Sequence, residues 1–152
     1  MLDQNTTAQL KALLERLEGP IELVATLNDS DKSAKIKELV EEVAALSPQV
    51  TARFDGTNKR APSFGIAKAG EEPRVYFAGL PMGHEFTSLI LALLQTSGYA
   101  PKVSDEVLAS IKALEIKSDF DVFVSLSCHN CPDVVQALNL IAIYNPGTTA
   151  TM

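Results

Sequence analysis

The chain has no tryptophan, only two cysteines, few cations and no long apolar run. The missing tryptophan and the modest aromatic content (6%) exclude nothing. Thirteen Lys and Arg against 19 Asp and Glu leave a net charge of −6, and the pI is near 4.9. That argues against sequence-independent nucleic-acid binding, because neutralising phosphates takes clustered Lys and Arg. No apolar stretch approaches the roughly 18–20 residues of a membrane span. The opening Met1-Leu2-Asp3-Gln4-Asn5 has neither a basic segment nor an apolar one. No signal peptide is therefore expected, and the cytoplasm is the expected compartment. There, paired thiols are more often catalytic or metal-binding than structural.

Both cysteines fall in one motif, Cys128-His129-Asn130-Cys131, followed at once by Pro132. The alternating run Phe120-Asp121-Val122-Phe123-Val124-Ser125-Leu126 leads in as a strand, and a helical pattern leads out. A strand that delivers Cys-x-x-Cys to a helix start sets the first sulfur near unpaired N–H groups and the positive end of the helix dipole. This favours thiolate, the form that attacks disulfides. Cys128 is the expected attacking thiol and Cys131, one turn in, the resolving one. His129 and Asn130 set the poise of the pair, because an imidazole can hydrogen-bond or charge-stabilise a thiolate; a solvated ring of small effect is the plainer alternative. A static disulfide is another. A metal site is a third, but a closed zinc site takes four ligands and no second cysteine pair exists. Only a dimer-bridging form is open to it, and no metal is expected.

At 152 residues and 46% apolar, the chain can bury one good core or two small ones. Leu10, Leu13, Leu14 and Leu17 make a helical stripe ended by Gly19-Pro20, and Ile21 to Leu27 a short strand. Asn28-Asp29-Ser30-Asp31 offers N-caps to a helix marked by Ile36, Leu39, Val40 and Val43. Val50 to Phe54 alternates as a strand. Ser63 to Ala67 and Arg74 to Ala78 form a hairpin through Gly70, and Phe86, Leu89, Ile90, Leu93 and Leu94 mark a helix ending near Gly98. The pairs Glu41-Glu42 and Glu71-Glu72 read as solvated faces, and Asp29 and Lys32 as surface residues.

The order helix, strand, helix, strand, strand, strand, helix is that of an α/β, thioredoxin-like unit. Pro62, before the third strand, sits where that fold uses a cis-proline. The pattern then restarts with a helix through Val107, Leu108, Ile111 and Leu114, the strand Phe120–Leu126, a helix through Val134, Val135, Leu138 and Ile141, and a strand start at Thr148 to Met152. A shift of 99 positions lays Ile21–Leu27 on Phe120–Leu126 and puts Asp29 and Lys32 where the cysteines stand. The expected division is one complete unit at 1–100, lacking cysteines, and a partial second unit at 101–152 bearing Cys-x-x-Cys. A sheet cut there leaves an edge and an apolar face uncovered. Truncation from a longer parent is the favoured reading, and a homodimer through the incomplete unit another.

Ser125 to Asn139 (SLSCHNCPDVVQALN) and Gly83-His84-Glu85-Phe86-Thr87-Ser88-Leu89 carry a resemblance that covers essentially the whole chain. It resembles the N-terminal region of the flavoprotein component of bacterial alkyl hydroperoxide reductase. The resemblance implies two fused thioredoxin-like folds and a thiol–disulfide oxidoreductase. Electrons would come from a C-terminal module binding FAD and NADH and pass to the disulfide of a peroxiredoxin. It also implies that Glu85 faces the dithiol from the neighbouring unit and handles its proton, rather than only capping a helix; His84, beside it, is a weaker candidate. No Gly-x-Gly-x-x-Gly occurs, so no cofactor is expected here and NADH-dependent peroxide reduction by this chain alone is excluded. The competing function is a non-catalytic thioredoxin-like scaffold with a structural disulfide.

Overall fold

A computed structural model describes residues 1–152. In chain order the elements are α1 (Gln4–Leu14), β1 (Ile21–Thr26), α2 (Asp31–Ala45), β2 (Val50–Arg53), β3 (Ser63–Lys68), β4 (Val75–Phe77), α3 (Phe86–Thr96), α4 (Asp105–Ala113), β5 (Ser118–Asp121), α5 (Cys131–Tyr144) and β6 (Thr148–Thr151). Helix starts follow the expected chemistry. Side chains of Asp3, Ser30 and Ser104 accept the N–H groups of Thr6, Ser33 and Val107, filling donors that the first turn leaves unpaired. Among the four N-cap candidates before α2, Ser30 is the one that caps. α1 stops at Leu14, short of the Leu17 that its stripe predicts. The chain tightens into three-residue turns, Arg16 N–H to Leu13 O and Leu17 N–H to Leu14 O, which still deliver Leu17 to the core.

All six strands form one sheet, in the order β2-β1-β3-β4-β6-β5. β1 and β2 are parallel, and β1–β3 and β3–β4 are antiparallel. β6 then joins β4 in parallel, with Val75 opposite Ala150 and Tyr76 opposite Thr151, and β5 pairs in parallel on its far side. The seam is closed by Ala150 N–H to Arg74 O at 2.9 Å, Met152 N–H to Tyr76 O at 3.0 Å and Ala78 N–H to Met152 O at 2.7 Å. Arg74 adds a clasp: its guanidinium donates to Ala142 O and Ile143 O, both at 2.8 Å, a cation on the unpaired carbonyls that end α5. The Ala61–Pro62 peptide is cis, as expected from the element order. No helix is long and apolar enough to cross a membrane.

The strand expected over Phe120–Leu126 is corrected. β5 runs only from Ser118 to Asp121, and Val122 N–H to Thr151 O at 2.8 Å is its last ladder bond. The pairing strand β6 ends at Thr151 and β5 lies at the sheet edge, so the apolar alternation from Val122 onward has no ladder to join. Phe123 is 86% exposed as a result. The acidic pair Glu41-Glu42 also differs from a plain solvated face, because Glu42 accepts from the Met1 amino group at 2.7 Å and from Leu2 N–H at 3.2 Å.

The core lies in the first half. Of its 21 buried apolar members, only Ala142 and Ala150 come from beyond Leu94. Phe77 of β4 sits at the seam, fully buried and stacked on Phe64 with ring centroids 5.4 Å apart. Phe77→Ala is expected to lower stability by about 3–5 kcal/mol, through lost transfer energy and a residual cavity. Urea unfolding measures this, and a loss below about 1 kcal/mol would show that the seam does not carry the core.

Candidate active site

β4, β5 and β6 point the same way, and a helix that follows a strand runs back against it. α3 after β4 and α5 after β5 are therefore parallel, and the turns that begin them emerge at one edge of the sheet. Contacts agree with this: the two helices pack on each other, and Gln136 of α5 donates to the Ser88 hydroxyl of α3 at 3.1 Å.

The first turn is the loop from Val122 to Asn130. Cys128 N–H bonds to Ser125 O at 3.0 Å, and the Ser125 and Ser127 hydroxyls meet at 3.0 Å. Asn130 occupies the N-cap of α5 but makes no side-chain capping bond, so the first N–H groups of the helix stay available. One of them, Cys131 N–H, donates to Cys128 Sγ at 3.2 Å. Pro132, with no N–H of its own, suits the first turn. Cys128 and Cys131 are joined by a disulfide with Cα atoms 5.5 Å apart, and both are half-buried while His129 and Asn130 are exposed. The motif thus stands at a helix start, as its flanking patterns predict.

The second turn is Gly83-His84-Glu85, a single 3-10 turn leading into α3. Gly83 has φ +57°, and a Cβ there would lie 2.8 Å from Leu126 O. Glycine lets the backbone approach the cysteine loop closely, and His84 N–H then donates to the same Leu126 O at 3.2 Å. The His84 and His129 rings face each other with centroids 4.5 Å apart and planes inclined at 56°. Cys128, Cys131, His129 and His84 are therefore gathered at one place, from two elements far apart in sequence.

Glu85 follows His84 and is fully buried. It stands at the N-cap of α3, yet its side chain makes no capping bond, and neither carboxylate oxygen has a hydrogen-bond partner. Burial pushes its carboxyl pKa up, with the nearby Ser88 hydroxyl and His84 opposing more weakly. The plain capping role does not describe it. Three features escape the sequence reading: the Gly83–Leu126 approach, the His84–His129 contact, and the Arg60 guanidinium, which pairs with Asp121 at 2.7 Å and lies over the exposed Phe123 ring. Only Gly83 carried a local signal, as a glycine just ahead of a helix.

The residues present do not fit a dinucleotide cofactor. Pyrophosphate binding uses glycines at a strand-to-helix turn to leave backbone open. Here the one positive-φ glycine at a helix start is filled by Leu126 O. No step below is routed through flavin or nicotinamide held by this chain. No group of three or more His, Cys, Asp or Glu side chains is arranged to hold a metal ion.

No family model matches the sequence. Among proteins of known function, the chain is 53% identical over 146 residues to the alkyl hydroperoxide reductase flavoprotein AhpF of Pseudomonas putida, and 53% identical over 147 residues to that of Escherichia coli K12. It is 49% identical over all 152 residues to the Staphylococcus epidermidis AhpF. These matches take in 96–100% of this chain but only 28–30% of each relative, so the chain spans less than a third of their length. Among solved structures, the NTD_N/C domain of alkylhydroperoxide reductase AhpF from Enterococcus faecalis superposes with a TM-score of 0.88 at 28% identity, over 100% of this chain and 79% of that one. A protein disulfide oxidoreductase from Aeropyrum pernix shares the fold alone, with a TM-score of 0.78 at 18% identity over 99% of this chain and 76% of that one. Sequence and fold together make this chain a thioredoxin-like α/β protein that belongs with the N-terminal region of the alkyl hydroperoxide reductase AhpF family.

Proposed function

We propose that the chain is a thiol–disulfide relay that passes an electron pair to the disulfide of a peroxiredoxin, within NADH-dependent peroxide reduction in the cytoplasm. The observation that carries this reading is the accessible Cys128–Cys131 disulfide at the start of α5, with a helix N–H already donated to Cys128 Sγ. In the reduced chain the same N–H and the helix dipole would favour Cys128 as thiolate. In this reading residues 1–100 form a cysteine-free unit that shapes one wall of the site, and residues 101–152 carry the dithiol.

The chemistry balances as two exchanges. Cys128 thiolate attacks one sulfur of the partner disulfide, the partner's S–S bond breaks, and its other sulfur leaves as thiolate. A mixed disulfide joins Cys128 to the partner. Cys131, having lost its proton, then attacks Cys128 Sγ; the mixed disulfide breaks and the partner's second sulfur leaves as thiolate. The partner has gained two electrons, and this chain is left with its own disulfide. Reduction by an NADH-fed flavin module, as the family implies, restores the dithiol. His129 is assigned to the poise of the pair. Glu85, whose raised pKa brings it nearer neutrality than an ordinary carboxylate, is assigned as acceptor of the Cys131 proton.

Two measurements test this. With a reduced Cys131→Ser chain and the disulfide form of an alkyl hydroperoxide reductase peroxiredoxin, a mixed disulfide through Cys128 is expected to accumulate and to run as a larger species on non-reducing gels; Cys128→Ser should give none. If Cys131→Ser traps nothing and the wild-type chain exchanges with no small disulfide, the bond is static and the scaffold reading stands instead. The second concerns Glu85. A carboxyl with a raised folded-state pKa contributes stability that is complete below its ordinary value of 4.5 and fades as pH rises through the folded-state value. The wild-type chain should therefore lose stability relative to Glu85→Gln as pH rises from 4.5. Parallel stability curves over that range would mean that Glu85 is not held in the buried state described.

A further inference from the structure

The chain has two histidines, and the fold brings both to the disulfide. One lies between the cysteines; the other comes from the cysteine-free half, 45 positions earlier. Their ring separation of 4.5 Å is at the close end of the roughly 4.5–7 Å typical of paired aromatic rings. Both side chains are exposed, a setting in which an isolated imidazole would sample several rotamers and lose freedom on being fixed. His84 is not free to do so at its backbone. Its N–H is tied to Leu126 O, and Gly83 before it holds a conformation that side chains disfavour. The ring is thus presented from a fixed platform to the residue next to Cys128.

On the relay reading above, we infer that His84 is a positioning residue for the dithiol: its ring holds the His129 imidazole in place, so that an N–H of that ring is ready for the Cys128 thiolate. A neutral imidazole carries one N–H donor, and a donor held ready for an anion stabilises it more than one that must first be ordered. Only the reduced chain carries the thiolate, so the contact favours the dithiol over the disulfide and makes the pair a stronger oxidant. The cysteine-free half then tunes the redox pair as well as supporting it. Glu85, the other titratable group of the same turn, is buried and has no hydrogen-bond partner, so it supplies no competing anchor to either ring.

The test is equilibration of the 152-residue chain in glutathione buffers with thiol trapping, for wild type, His84→Ala, His84→Phe, His129→Ala and the double alanine variant. His84→Ala is expected to shift the equilibrium toward the disulfide about fivefold, which is about 20 mV at roughly 30 mV per tenfold change. His129→Ala should shift it similarly, and the double variant no further than His129→Ala alone, because one residue acts through the other. His84→Phe, which keeps a ring against His129, should restore most of the wild-type value. A His84→Ala equilibrium within twofold of wild type, additive effects in the double variant, or no rescue by phenylalanine would each overturn the inference. No peroxiredoxin is needed for this measurement. Shifted equilibria without peroxiredoxin reduction would support His84 and overturn the relay; peroxiredoxin reduction with unmoved equilibria would do the reverse.

Discussion

The parallel pairing of β6 with β4 is the constraint on which the rest depends. It involves only two register pairs and three closing hydrogen bonds, yet it fixes the direction of β5 relative to β4. With those strands aligned, the helices that follow them run side by side and begin at the same sheet edge. Everything chemically active in the chain sits in the two turns gathered there. In α/β proteins generally, the carboxyl ends of parallel strands are where helix N-termini and loops converge on a site. Here one turn brings the sulfurs and the other brings a glycine, a histidine and a buried acid.

The two halves contribute unequally to stability and to chemistry. Nearly all of the buried apolar core belongs to residues before Leu94, while the disulfide lies in the part with little core of its own. The second half is held through specific polar ties instead. Arg74 closes the end of α5, and the Asn145 side chain donates to Ile111 O and Leu114 O, binding α4 to α5. Arg60, two residues before the cis-proline, reaches Asp121 at the end of β5. Such bonds fix orientation more than they add net stability. A stable scaffold thus aims a lightly built reactive segment.

Much of this was legible in the residues. Leucine spacing located α1 and α3, serine N-caps located α2 and α4, and the Cys-Pro step after an apolar run located the start of α5. These signals are local, so a linear reading recovers them. Two failures share a different cause. The run Phe120–Leu126 has perfect strand alternation, but a strand also needs a partner, and β6 ends too early to supply one beyond Val122. The two-histidine contact depends on a helix pair packed across the seam, and no periodicity in either segment reports it. Glu85 shows the same limit: position alone suggests a capping acid in solvent, whereas packing encloses it entirely.

The unbroken sheet bears on how electrons are delivered and taken away. Adjacent strands bonded across the seam leave no swivel between the cysteine-free half and the half that carries the sulfurs. The reactive bond cannot swing from one client to another as a bucket on an arm would. It has a single doorway, beside the two histidines, and whatever loads it must vacate that doorway before whatever unloads it can enter. Turnover would then be paced by how fast visitors exchange places, with the rigid body between them acting as a fixed contact.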